Sequence, residues 1–67
     1  MTIKLNMLAI KKLMAENLMT NDKLGKLSGI SAGTIGKIFK RGTCSVVAAG
    51  CIATALHVNV EEIWKEE

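Results

Sequence analysis

Residues 20–42 read TNDKLGKLSGISAGTIGKIFKRG, and two short helices joined by a tight turn account for the pattern. Thr20 and Ser31 are good N-cap residues, because a short hydroxyl accepts a bond from a backbone N–H that the first helical turn leaves unpaired. Gly29 falls between the two segments, where a sharp reversal calls for positive φ. Helical spacing places Leu24 and Leu27 inward on the first helix, Ile30 in the turn, and Ile35 and Ile38 inward on the second.

Two helices set at a steep angle by a short Gly turn form a helix-turn-helix, whose second helix can enter a DNA major groove. Apolar residues at 24, 30, 35 and 38 with Gly29 reproduce the spacing of the Cro/repressor-type family (lambda-repressor-like, XRE-like), which the chain resembles over about residues 5–64. The resemblance implies an all-α fold: one compact five-helix lambda-repressor-like domain over residues 1–67, with the helix-turn-helix at about 20–41.

Composition agrees with one small domain. A chain of 67 residues buries only about 60% of its unfolded surface. Absence of proline and abundance of Leu, Ile, Ala and Met favour helix over sheet. No apolar run approaches the ~18 residues of a membrane span, and the N-terminus lacks the apolar block and cleavage site of a secretory leader. A cytoplasmic protein is expected. The net charge of +3 is unevenly placed: residues 1–60 hold eight basic and two acidic groups, and the last seven hold four acids and one lysine. A basic body with an acidic end suits a polyanionic partner on one side. Cys44 and Cys51 are too few for a disulfide framework and lack zinc-ligand spacing with His57, so both read as free thiols. One histidine, scattered carboxylates, no nucleophile with a base and no phosphate loop argue against an enzyme. No cofactor, metal or small-molecule ligand is expected.

Taken in order, residues 1–4 read as a loose arm and helix one as about Leu5–Asn17, with Met7, Ile10, Leu13 and Met14 toward the core and Lys11 and Lys12 on the other side. Met19 anchors the link to helix two. The family implies arginine at 14, ion-paired with glutamate at 39. This chain has Met14 and Phe39, a replacement of both partners that physics permits, and the two side chains are expected to touch. Helix two spans about Asn21–Ser28. By resemblance, Thr20 and Asn21 are phosphate-contact candidates and Gly25 is a site of close helix approach.

Helix three, about Ala32–Lys40, presents Ser31, Ala32, Gly33, Thr34, Gly36 and Lys37 outward. Ser31, Ala32, Gly33, Thr34 and Lys37 are the base-contact candidates. Family members often carry long polar side chains at 32 and 33. Alanine and glycine offer no hydrogen bond to a base edge, so direct readout is expected to be thin. Lys40, Arg41, Gly42 and Thr43 read as a basic turning loop. The family holds the DNA backbone there, making Lys40, Arg41 and Thr43 further phosphate-contact candidates.

Helix four, about Val46–Leu56 and capped by Ser45, turns Val46, Ala49, Ile52, Ala53 and Leu56 to the core. Its opposite stripe of Val47, Gly50, Cys51 and Thr54 carries no charge, which suggests a partner surface. These four residues, with Trp64, are the dimer-interface candidates; Trp64 is equally suited to lid the core. His57 stands where the family ends this helix with glycine and reads as a terminator in the left-handed conformation. Val58 packs inward, Asn59 caps a last short helix of about Val60–Lys65 with Ile63 in the core, and Glu66 and Glu67 form a mobile acidic end. The resemblance implies a homodimer on a partly palindromic operator. A protein-interaction module of antitoxin or adaptor type on the same fold is the competing expectation.

Overall fold

The computed structural model describes residues 1–65. The reading of Glu66 and Glu67 as a mobile end lies outside the described residues. The elements run β1 (Thr2–Lys4), α1 (Met7–Glu16), α2 (Asn21–Ser28), α3 (Ala32–Arg41), β2 (Thr43–Ser45), α4 (Val46–Ala55) and a 3-10 turn, Val60–Glu62. The domain is thus mostly helical, with four helices and a two-stranded antiparallel sheet, which corrects the expectation of five helices and a purely α fold.

The N-terminal arm is a strand. Thr2 pairs with Ser45, Ile3 with Cys44 and Lys4 with Thr43. Ile3 and Cys44 point into the core while Thr2, Lys4 and Ser45 face out, the alternation that a pleated strand imposes. Leu5 does not begin helix one. It is buried, its N–H donates to the Gly42 carbonyl at 2.9 Å, and it bridges to Trp64. On the other edge of β1, the Lys65 N–H donates to the Lys4 carbonyl at 2.9 Å and the Asn6 N–H to the Ile63 carbonyl at 2.8 Å. Residues 2–6 and 63–65 are therefore stitched into one ladder. The expected last helix is only the 3-10 turn; the Asn59 N–H donates to the Glu62 carboxylate at 3.2 Å, and Ile63 is fully buried as expected.

Capping fixes the helices. Asn6 accepts from the Ala9 N–H, Thr20 from Lys23, Ser31 from Thr34 and Ser45 from Ala48, at 3.1 to 3.3 Å. Each bond satisfies an N–H that the first turn leaves open. Gly29 and Gly42 end α2 and α3 at φ +78°. Two ends lack glycine: Leu18 (φ 51°) after α1 and His57 (φ 60°) after α4 adopt the left-handed conformation as non-glycine residues.

The core draws Ile10 from α1, Leu24 from α2, Ile35 from α3, and Ile52 and Leu56 from the α4 region. Ile30, Ile38, Met19 and Val58 pack against it half-buried. Two inward assignments are corrected. Leu27 is 56% exposed and Val46 40% exposed; each lies in an end turn of its helix, beyond the part of the stripe that Leu24, or Ala49 and Ile52, bury. At the corner between α2 and α3, a Cβ on Gly25 would lie 2.6 Å from the Ile30 carbonyl oxygen and 3.2 Å from the Ala32 nitrogen. Only glycine lets the turn fold this tightly against α2.

Candidate nucleic-acid interface

The second helix of the motif is held by its buried side and open on the other. Ile35 anchors α3 in the core, and Ile38 and Phe39 pack half-buried against it. Ser31, Gly33, Thr34, Lys37, Lys40 and Arg41 are exposed, Ala32 and Gly36 half-buried. No heavy atom lies within 4 Å of a Cβ built on Gly33 or Gly36, so their lack of a side chain leaves open space rather than a packed contact. The Ser31 hydroxyl accepts from the Thr34 N–H at 3.3 Å and donates to Thr34 Oγ1 at 2.8 Å.

The basic groups do not lie on a loop. Lys40 and Arg41 form the last turn of α3, before the Gly42 cap, where cations also complement the helix dipole. Thr43 follows within β2 and is half-buried. Thr20 and Asn21 are exposed at the start of α2. Asp22 is exposed as well and lines a hollow with Ser31 and Ala32, placing one acid beside the start of α3.

A second cleft, of about 590 Å³, opens between α1, the start of α2 and the end of α3. Met7, Met14, Met19 and Phe39 line it half-buried, and Lys11, Asn21 and Lys40 line it from exposed positions. Met14 and Phe39 thus share one wall region, where the resemblance implied an ion pair. Among the described residues no buried side-chain nitrogen or oxygen lacks a partner, so replacing both members strands no charge. Lys11, expected on the far side of α1, belongs to this cleft. The i, i+4 relation of Met7 to Lys11 and Lys11 to Ala15 carries that information in the sequence.

Of the dimer-interface candidates, Val47 is 77% exposed and Thr54 is exposed, while Gly50 and Cys51 are half-buried. Trp64 is half-buried against the core and bridges to Leu5. Cys44 and Cys51 are both free, and burial pushes the Cys44 thiol pKa up, because a thiolate is disfavoured away from water. No group of metal-binding side chains occurs among the described residues, and no helix is long and apolar enough to cross a membrane. Comparison with protein-family models, with curated proteins and with solved structures finds no match.

Proposed function

We propose that the protein is a cytoplasmic, non-enzymatic regulator of transcription that binds double-stranded DNA sequence-specifically through α3 and acts as a repressor-like dimer by occupying its operator. One observation carries this: the outer side of α3 is open and its exposed charges, Lys37, Lys40 and Arg41, are all positive. Phosphates would be held by Lys40, Arg41, Thr20 and Asn21, with Thr43 at the margin. Ser31, Thr34 and Lys37 would meet base edges, and Ala32 a thymine methyl. In a dimer the two α3 helices would lie about 34 Å apart in successive major grooves.

Selection of bound sequences from random duplex DNA tests the proposal, with an enriched two-fold motif as the expected outcome. Affinity should fall steeply with salt, and Arg41→Ala should weaken binding on all duplexes while lowering the salt slope by about one. The dimer is tested by sedimentation of Val47→Glu beside the parent: a halved mass places the contact on α4, and equal masses exclude that surface.

The competing reading, a protein-interaction module on this fold, is favoured by the short reach of Ala32, Gly33 and Gly36 and by the uncharged outward stripe of α4. It predicts an unenriched DNA pool and little salt dependence.

A further inference from the structure

We propose that the cleft between α1, α2 and the end of α3 binds a small amphipathic carboxylate, a free anion with a short alkyl or aryl body, and that its occupancy displaces DNA. The cleft's volume, about 590 Å³, lies within the ~300–1,000 Å³ usual for small-molecule sites. Its lining is divided by chemistry. Met7, Met14, Met19 and Phe39 offer half-buried apolar surface, and methionine adapts its three-bond side chain to an irregular guest.

The rim carries Lys11 from α1, Lys40 from α3 and the Asn21 amide, and no acid lines the cleft. A neutral guest gains nothing from the charge of the two rim lysines, and a cation is repelled by both. A carboxylate at the rim is attracted by both while its body covers the methionines and the ring. Inorganic phosphate would use the rim and leave the apolar lining wet. The hollow at the helix-turn-helix corner lacks this division, because Asp22 lines it with Lys26.

The regulatory half of the proposal rests on the DNA-binding reading: a guest's carboxylate at the rim would compete with a DNA phosphate for Asn21 and Lys40. The expectation of no small-molecule ligand came from residue types along the chain, which do not show a cleft formed between three helices.

The chain holds four methionines, three of them in the cleft, while Met1 is 96% exposed outside it. Their ε-methyl NMR signals therefore report occupancy with an internal control. Titration of the full chain, free of DNA, with octanoate should move the Met7, Met14 and Met19 signals saturably and leave Met1 in place. Lys11→Ala and Lys40→Ala, both at exposed positions, should each weaken binding about two- to fivefold. Octan-1-ol should bind more weakly than octanoate, and octyltrimethylammonium should give no saturation. Linear shifts, equal movement of Met1, or octan-1-ol binding as tightly as octanoate would overturn the site. Octanoate should then lower duplex affinity relative to acetate at equal ionic strength; unchanged affinity overturns the displacement. Saturating methyl shifts in a protein that binds no duplex would uphold the site and reject the DNA reading, so the two failures are distinct.

Discussion

Gly25 and the pair Gly33 and Gly36 lie on adjoining helices of one motif, yet they are glycine for opposite reasons. A Cβ at Gly25 would sit 2.6 Å from a backbone carbonyl oxygen, which moves only if the turn itself shifts, whereas a Cβ at Gly33 or Gly36 would meet nothing within 4 Å. Packing thus dictates the first and is indifferent to the others. Glycine within a helix costs about 0.5–1 kcal/mol against alanine. No contact inside the molecule requires glycine at 33 or 36, so compensation for that cost is to be sought outside it.

The largest effect expected from this contrast is at Gly25. Gly25→Ala should destabilise the domain by about 2–3 kcal/mol, because relief requires shifting backbone at the α2–α3 corner rather than a side chain. Thermal or urea unfolding measures it. A loss under about 0.5 kcal/mol would mean that the corner opens easily and the contrast is false.

Gly33→Ala and Gly36→Ala should each stabilise the fold by about 0.5–1 kcal/mol. Their effect on DNA separates two meanings of the open surface. If α3 uses its bare backbone to come close to a duplex, each methyl should weaken DNA binding while the unfolding midpoint rises. If affinity holds or improves, the glycines are no part of a reading surface, and the competing protein-interaction role gains.

The contrast also bears on what the sequence makes legible. Thr20, Ser31 and Ser45 were readable as caps, and Gly29 as a turn, because each rests on chemistry within three or four residues along the chain. Gly25 was readable only through resemblance, since the atom it must avoid belongs to Ile30 across a turn. The sheet was not readable. Strands of three residues carry no measurable period, and Ile3 finds Cys44 only after three helices' worth of chain has been placed. The last helix failed for the related reason that residues 63–65 are drawn into the ladder against β1 instead of continuing the 3-10 turn. At the candidate interface, the exposed positions of α3 followed from helical spacing around Ile35. The cleft did not, because it joins Lys11, Asn21 and Lys40 from three helices whose relative placement no local pattern encodes.

The smallest predicted effect concerns a position that calls for glycine and has none. After α1, the Met19 N–H donates to the Met14 carbonyl at 2.8 Å and the Leu18 N–H to Ala15 at 3.2 Å; after α4, the Val58 N–H donates to Ala53 at 3.0 Å and His57 to Thr54 at 3.1 Å. These are two copies of the Schellman ending, with Leu18 and His57 in the left-handed seat that glycine normally takes. Histidine was legible there by analogy with glycine; leucine was not, because nothing in its chemistry favours φ near 51°. Leu18 is 86% exposed, so its side chain contributes little packing to offset a strain of about 1–2 kcal/mol. Leu18→Gly removes the strain but frees the unfolded chain by about 0.4–1 kcal/mol. The net expectation is a gain of about 0.5 kcal/mol, read as a raised unfolding midpoint, with the two backbone bonds retained. A loss instead would show that Leu18 covers apolar surface next to Met19, and that glycine's absence from this turn is as much a matter of packing as its presence at Gly25.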